Sequence, residues 1–343
     1  MKRIVHFVVV AVLASGALTF GQGVDVNKVL ADVREALGGE KKLAAVTSLT
    51  VTGQSSRVSG DTSSPATDFE MAIQLPDKFM KKEVVAVLGP NTLSRTSGFN
   101  GNDVIDLMDA PPMMGGGGGM MIRTAGGGPM GGAQTPEQQE ATRKNLLLSS
   151  RQEFARLTLG MFAASYKGYP LTFAYAGQAE SPDGKADVIE VKGEGDFAAK
   201  LYVDAKTHLP LMLSWMAKEP MTMRMTNGPG GMVMGNGGAG GGGRVVTSGG
   251  GGGAVTTFGG GGQMTPEQRD QMMKDLDARM KEAEANRRTV EFRVYYAKYH
   301  DVDGLKMPSQ IQRTIDGKPS DELVLEKIKL NPKIDPKKFE TVK

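Results

Sequence analysis

Apolar and polar residues alternate with a period of two over most of this 343-residue chain. In one stretch Phe69, Met71 and Ile73 alternate with Asp68 and Glu70. Successive side chains of a β-strand point to opposite faces of its sheet, so the pattern predicts strands with one apolar and one polar face. About eleven such strands predict an antiparallel sheet with one solvated face, and a sheet this wide can curl around a hollow.

Two later strands show the same alternation. Their predicted inward-facing residues are Leu209, Leu211, Leu213 and Trp215 in one strand and Val290, Phe292, Val294 and Tyr296 in the other. If the apolar face lines a hollow, a ligand there is expected to contact Phe69, Met71, Ile73, Leu211, Leu213, Trp215, Phe292 and Val294. An Asn100-Gly101 pair between two further strands predicts a hairpin turn, because this dipeptide favours the positive φ angles that tight turns need.

Helical spacing occurs in three places. Apolar residues from Val26 to Leu37 predict a short helix that Gly38-Gly39 would end. Residues 147–166 predict a long amphipathic helix that could cover the apolar side of the sheet. Residues 266–286 predict a polar helix. The predicted class is therefore α+β, mainly antiparallel β, as a barrel or half-barrel.

Two glycine-rich segments, residues 110–134 and 219–264, interrupt the alternation. They hold 10 and 19 of the 47 glycines and 5 and 6 of the 22 methionines. Glycine loses much backbone entropy on folding, so this density predicts flexible loops. Each segment is followed by Thr-Pro-Glu-Gln, at Thr135 and Thr265, which predicts the capped start of a helix.

The first 23 residues have the pattern of a secretory signal peptide. Lys2 and Arg3 precede an apolar run at 4–13, and small residues follow as far as Gly23. The run is too short to span a bilayer, and the alternative, a buried N-terminal helix, fits the flanks less well. The pattern predicts export, cleavage near residue 23, and a periplasmic mature protein that has no membrane span and folds as a single domain over 24–343.

Composition excludes several classes of protein. The chain has no cysteine, which removes disulfides, thiolate metal sites, cysteine nucleophiles and lipidation of an N-terminal cysteine. It has 41 Lys and Arg residues against 38 Asp and Glu residues, and loss of Lys2 and Arg3 brings it close to neutral. A near-neutral chain lacks the basic footprint of a nucleic-acid-binding protein.

No catalytic set is recognisable. Residues 193–198 fit a dinucleotide fingerprint, but the residues after them alternate like a strand, so no helix N-terminus would receive a pyrophosphate. We interpret this stretch as a hairpin turn. His208 and His300 lack a positioned partner for general-base work, so we expect turn or strand-end histidines. We predict no catalytic residue, no cofactor and no enzymatic activity.

Methionines cluster in both glycine-rich segments, at Met113-Met114, Met120-Met121, Met221, Met223, Met225, Met232 and Met234. Three interpretations remain open. The clusters can be low-complexity drift without a ligand, flexible contacts to an apolar partner, or soft thioether ligands for Cu(I). Drift is the simplest of the three, so no metal site is predicted.

Several motifs resemble the outer-membrane lipoprotein-sorting (LolA-like) family, and they occur in the expected order. They are ALGG at 36–39, KLAAV at 42–46, SLTVTG at 48–53, LPDKF at 75–79, FNG at 99–101, LYVDAKTHLPL at 201–211, VDGLKMP at 302–308 and IKLNPKIDPKKF at 328–339. The resemblance implies an unclosed β-barrel capped by helices, whose apolar hollow shields acyl chains in transit between membranes. The glycine–methionine insertions depart from that pattern.

The leading hypothesis is a non-enzymatic periplasmic carrier or binding protein for acylated or apolar ligands, with lipoprotein sorting to the outer membrane as its most specific form. Its partners would be the acyl chains of lipoproteins or lipids. The alternative is an envelope interaction or sensor module on the same fold, which docks a protein partner through its glycine–methionine loops. Lipid bound to the purified protein would distinguish the two.

Overall fold

A computed structural model describes residues 24–59, 62–88, 91–109, 121–123, 135–182, 184–220, 222–225, 232–235, 245–247, 271, 274, 278 and 282–341. The predicted signal peptide and its cleavage site lie outside the described residues. So do most of the two glycine-rich segments, whose flexibility therefore stays a prediction. The methionine clusters lie in the same segments, and no described side chain tests the copper hypothesis.

Seventeen strands are present in the described residues. They are β1 (Ser48–Ser59), β2 (Thr62–Ser63), β3 (Thr67–Gln74), β4 (Lys78–Leu88), β5 (Asn91–Asn100), β6 (Asp103–Asp109), β7 (Met121–Arg123), β8 (Thr172–Ser181), β9 (Gly184–Gly193), β10 (Phe197–Asp204), β11 (Pro210–Lys218), β12 (Thr222–Met225), β13 (Met232–Gly235), β14 (Val245–Thr247), β15 (Thr289–Val302), β16 (Leu305–Ile315) and β17 (Lys318–Leu330).

Fourteen of these strands form one antiparallel sheet. Its order is β7-β6-β5-β4-β3-β1-β17-β16-β15-β11-β10-β9-β8, and β2 pairs only with β1. The edge strands β7 and β8 do not pair with each other within the described part of the chain, so the sheet is unclosed, as predicted. The sheet has more than the expected eleven or so strands, in part because β2 and β7 are too short to show alternation.

The expected turns are present. The hairpin between β5 and β6 turns at Gly101, which has a φ of 61°, and Asn100 pairs with Asp103 across it. The stretch that fits a dinucleotide fingerprint is the turn between β9 and β10, where Asp196 and Gly195 have φ values of 58° and 63°. A hairpin, rather than a strand followed by a helix, is therefore confirmed there.

Three α-helices whose bounds lie within the described residues precede or interrupt the sheet: α1 (Val26–Ala36), α2 (Glu40–Ala44) and α3 (Pro136–Phe162). Thr135 caps α3: its side chain accepts from the Gln138 N–H, and the Gln138 side chain accepts from the Thr135 N–H. The helix therefore begins at the predicted capping box, eleven residues before the predicted range. It contacts β5 and β6 on one side and β10 and β11 on the other, so it crosses the inner face of the sheet.

The outer face of the sheet is covered in one place. The C-terminal 3-10 helix (Pro336–Phe339) brings Phe339, which is 1% exposed, against Ala72, Met80 and Ile105. The Asn100 side chain donates to the Phe339 carbonyl at 3.1 Å and holds the segment there. Elsewhere the outer face carries exposed side chains such as Met216, so one face is mainly solvated, as the alternation predicts.

The glycine-rich segments contain short strands where loops were expected. β7 pairs with β6 and extends one edge of the main sheet, and β12, β13 and β14 form a separate three-stranded sheet. Beyond the second segment, residues 271, 274, 278 and 282–285 are helical, in the range predicted as a polar helix. Among the described residues no helix combines the length and the apolar character that a membrane span requires.

Candidate functional site

One half of the inner face is a filled core, here called the apolar half. Its predicted ligand-contacting residues Phe69, Met71 and Ile73 are 3%, 2% and 1% exposed and pack in the main hydrophobic cluster with residues of α1 and α3. They share one face of β3, as the alternation predicts. Because they are covered by protein on all sides, these three residues contribute to stability and offer no open surface to a ligand.

Four aromatic rings close the apolar half. The Phe154 ring of α3 lies 5.7 Å from Phe79, 5.5 Å from Phe99 and 5.6 Å from Tyr166, measured between ring centroids. Phe79 and Phe99 face each other across β4 and β5. Aromatic contacts in this distance range stabilise a core beyond the area they bury. Phe154 therefore holds the middle of α3 against the sheet.

The other half of the inner face, here called the arginine half, is less completely covered. Trp215 of β11 and Phe292 of β15 are paired in register, and their rings stack at 5.4 Å with an interplanar angle of 15°. Both side chains are partly exposed, whereas Leu213 and Val294 beside them are 0% and 7% exposed. The predicted residues of β11 and β15 therefore meet, and two of them form an accessible aromatic surface.

Leu211 departs from the prediction. The pairing of β10 with β11 shifts register here, since Tyr202 pairs with Met212 while Val203 pairs with Pro210. Leu211 is the extra residue of this bulge and is 39% exposed. A one-residue insertion moves a side chain to the other face of a strand. The prediction that Leu211 shares the face of Leu213 and Trp215 is therefore wrong.

Arg156 of α3 is inserted into the arginine half. Its guanidinium carbon lies 4.5 Å from the centroid of the Trp215 ring and 5.1 Å from that of Phe197, a cation–π arrangement on both sides. Burial lowers the pKa of Arg156 to about 10, so the group stays charged at neutral pH. Its Nε is buried and has no hydrogen-bond partner among the described residues.

A charged cluster lies beside it between α3 and the sheet, formed by Lys81, Glu83, Glu153 and Arg313. The Lys81 Nζ is 2.8 Å from the Glu83 carboxylate and 3.9 Å from the Glu153 carboxylate, and an Arg313 Nη is 3.7 Å from Glu153. The ammonium group of Lys81 holds the pKa of Glu83 at about 2, against the effect of burial. Glu153 thus connects β4 with β16 through α3.

A close contact sets the position of α3 over the arginine half. The Tyr296 hydroxyl donates to the Arg156 carbonyl at 3.1 Å, and the Tyr296 ring lies against Gly160 one turn later. A Cβ on Gly160 would stand 2.0 Å from the ζ carbon of Tyr296, so only glycine fits here. The backbone that carries Arg156 is therefore held at two points by one side chain.

Alternation reasoning missed the charged residues of this site because it searched for apolar side chains only. Lys81 and Glu83 are nevertheless in phase with Phe79 in β4, and Arg313 is in phase with Ile311, which is 2% exposed. Charged residues in the inward phase of a strand are the signal that could have found them. Arg156 could be found only once α3 had been placed.

The remaining candidates for chemistry lie apart from this site. His208 occupies the turn between β10 and β11 with a φ of 57°, and His300 is exposed on β15, so both stand where turn or strand-end histidines were expected. Within the described residues no three His, Cys, Asp or Glu side chains come together as a metal site would require.

Three solved structures align with most of the chain at low identity. A LolA superfamily protein from Nitrosomonas europaea is 9% identical with a TM-score of 0.42, over 93% of this chain and 98% of that one. A DUF1329 family protein from Desulfovibrio piger is 8% identical with a TM-score of 0.43, over 92% and 97%. A domain of the outer membrane lipoprotein-sorting type from Vibrio parahaemolyticus is 9% identical with a TM-score of 0.41, over 92% and 97%.

No protein-family model and no curated protein matches the sequence.

Proposed function

We propose that the mature protein is a non-enzymatic periplasmic carrier or binding protein for acylated or apolar ligands. The observation that carries the proposal is the stacked pair of Trp215 and Phe292, which stays partly exposed on the inner face although α3 crosses that face. A ligand that covers apolar surface left accessible inside a fold removes that surface from water, which lowers the free energy and favours binding. The ligand site is thus the arginine half, and the apolar half is its support.

The chemistry of the surface fits an alkyl chain. Trp215, Phe292 and Leu213 supply ring faces and a branched side chain, and the surrounding residues of β10 and β15 are apolar. Burial of each methylene contributes about 0.8 kcal/mol, so an acyl chain of ten carbons can bind without any covalent step. The ordered motifs that resemble the lipoprotein-sorting family make an acylated lipoprotein on its way to the outer membrane the most specific cargo.

Mass spectrometry of lipids extracted from protein purified from the native periplasm tests the proposal directly. A carrier retains acyl material in a fixed ratio to protein. A docking module, the alternative function, retains none. N-terminal sequencing of the same sample tests export, because an intact Met1 would contradict the periplasmic assignment.

Trp215 is the only tryptophan of the chain, so its emission reports on this site alone. Titration with 1-decanol, an uncharged amphiphile, should shift the emission to shorter wavelength in a saturable way as water leaves the indole. Phe292→Ala should weaken binding about tenfold, since it removes the stacked ring. Met216→Ala is the matched control, because Met216 neighbours Trp215 but is 61% exposed on the outer face. Absence of any shift in a folded protein would contradict the proposal.

A further inference from the structure

We propose that the arginine half binds the oxyanion head of an amphiphile, a carboxylate or phosphate, between Arg156 and Arg313. This inference rests on the proposed function and specifies its ligand class as anionic amphiphiles. The alkyl chain would cover Trp215 and Phe292, and the head would take the hydrogen bonds that the two guanidinium groups lack.

The two arginines are unusual in having no hydrogen-bond acceptor. Each guanidinium has five N–H donors in a planar fork. Within the described residues neither Arg156 nor Arg313 donates a hydrogen bond, and the Nε of each is buried without a partner. A buried donor without an acceptor costs free energy, so the arrangement is unfavourable for the empty protein. An incoming oxyanion would remove that cost.

The positive and negative charges in this region do not balance. Five cations of this region, Arg57, Lys81, Arg95, Arg156 and Arg313, face the four carboxylates Glu83, Asp106, Glu153 and Asp321. Lys81 is paired with Glu83 at 2.8 Å, and Arg57 donates to the Val85 carbonyl at 3.4 Å. The Arg313–Glu153 separation of 3.7 Å is too long for a hydrogen bond. One positive charge in excess therefore lies on the inner face, at the arginines.

The head site and the chain site are adjacent. Arg156 lies on the Trp215 ring itself, 4.5 Å from its centroid. Arg313 pairs with Val294, one inward position along β15 from Phe292. Diagonal neighbours on one face of an antiparallel pair are about 7–8 Å apart, within reach of an arginine side chain. The Arg313 side chain is 36% exposed, so part of it is accessible although its Nε is buried.

Guanidinium groups fit this task better than ammonium groups do. Their planar fork matches the two oxygens of a carboxylate or phosphate and forms paired, charge-assisted hydrogen bonds. Because the site is enclosed between α3 and the sheet, such bonds are weakly screened by solvent. An uncharged head, such as an alcohol, would leave most of these donors unpaired.

The test compares decanoate with 1-decanol, which has the same chain length and no charge, at about pH 8, where the carboxyl group is ionised. Binding is measured by Trp215 emission and by calorimetry. We expect the dissociation constant of decanoate to be about tenfold lower or more than that of 1-decanol. Equal affinities would overturn the inference while leaving the proposed function intact. If neither compound bound, the proposed function would fail as well.

Decyl phosphate and inorganic phosphate separate an amphiphile from a free anion. We expect decyl phosphate to bind in the same range as decanoate and to compete with it, and inorganic phosphate to bind at least about a hundredfold more weakly for lack of the chain. Inorganic phosphate binding as tightly as decyl phosphate would overturn the amphiphile assignment. These wild-type measurements do not depend on the folding of any variant.

Arg313→Gln should weaken decanoate binding about tenfold and change 1-decanol binding by less than about twofold. Arg293→Gln is the matched control, because Arg293 lies next to Val294 on the outer face and pairs with Glu291 at 2.7 Å. It should leave both affinities unchanged. Equal weakening of both ligands by Arg313→Gln, with a normal melting curve, would contradict a role in binding the head.

Discussion

The apolar half and the arginine half lie on the same sheet under the same helix, yet they are built for different tasks. Phe69, Met71 and Ile73 are buried in the main hydrophobic cluster, while Trp215 and Phe292 keep accessible surface. The first half gains stability from complete burial. The second leaves aromatic surface and arginine donors unsatisfied, which costs stability and is typical of binding sites.

The difference indicates how an unclosed sheet can hold the proposed ligand site without losing its fold. Helix α3 spans both halves, and it is fixed at Phe154 by packing that needs no ligand. Stability and binding are thus assigned to different parts of one inner face. Substitutions in the apolar half should therefore affect mainly folding stability, and substitutions in the arginine half should affect mainly ligand binding.

The largest expected effect is on folding in the apolar half. Phe154→Ala should destabilise the protein by about 3–5 kcal/mol, because it removes a buried ring that contacts three other rings. Phe292→Ala should cost about 1–2 kcal/mol, since its ring is already partly exposed. Chemical denaturation of both variants measures the contrast. Equal losses would break the distinction between the halves.

The charged cluster should make the free energy of unfolding depend on pH in the acidic range. The pKa of Glu83 is about 2 in the folded protein against 4.5 for a free glutamate, owing to Lys81. A depressed folded pKa stabilises the protein above the unfolded pKa, and this contribution is lost as pH falls from about 4.5 towards 2. The loss should be on the order of 2–3 kcal/mol. Glu83→Gln should flatten that part of the stability profile, and an unchanged profile would contradict the coupling.

Gly160→Ala tests whether α3 is positioned by Tyr296. The added methyl group would overlap the Tyr296 ring, so we expect about 1–3 kcal/mol of destabilisation and a change in Trp215 emission as Arg156 moves. The double variant Gly160→Ala with Tyr296→Leu should recover part of the loss, which a double-mutant cycle measures. Strictly additive effects would show that the two residues do not act on each other.

The smallest effect is expected from the glycine-rich segments, whose described residues are not among those that form either half. Replacement of residues 115–132 and 228–262 by short linkers should shift the melting temperature by only a few degrees, because the entropy of closing a loop changes slowly with its length. Thermal melting of the shortened protein checks this. A large loss would show that the pairing of β7 with β6, or the sheet of β12, β13 and β14, contributes to stability.

Much of the sheet could be predicted because alternation is a local signal. Val290, Phe292, Val294 and Tyr296 share the inner face, as their spacing indicates, and the Asn100-Gly101 turn follows from the backbone preference of two residues. Leu211 could not be placed, because a bulge depends on how β10 and β11 pair and leaves no clear mark in either strand.

Only part of the arginine half could be predicted from the sequence. Trp215 and Phe292 were expected to share the inner face, but their stacking depends on the register of β11 against β15. Arg156 is more than fifty residues from Trp215 in sequence and reaches its ring only because Gly160 lets α3 approach Tyr296. Contacts of this kind are set by tertiary packing, which a periodicity does not contain.

The pairing of β1 with β17 at the centre of the sheet has a consequence for how the protein is made. Leu49 pairs with Leu330, so the first and the last strand of the main sheet meet in its middle. The two wings, β3 to β7 and β8 to β16, are joined only when the last strand has been synthesised. Contacts between such distant residues slow folding, because a long loop must close before they form. The sheet of a nascent chain therefore stays in two separate wings until β17 has emerged.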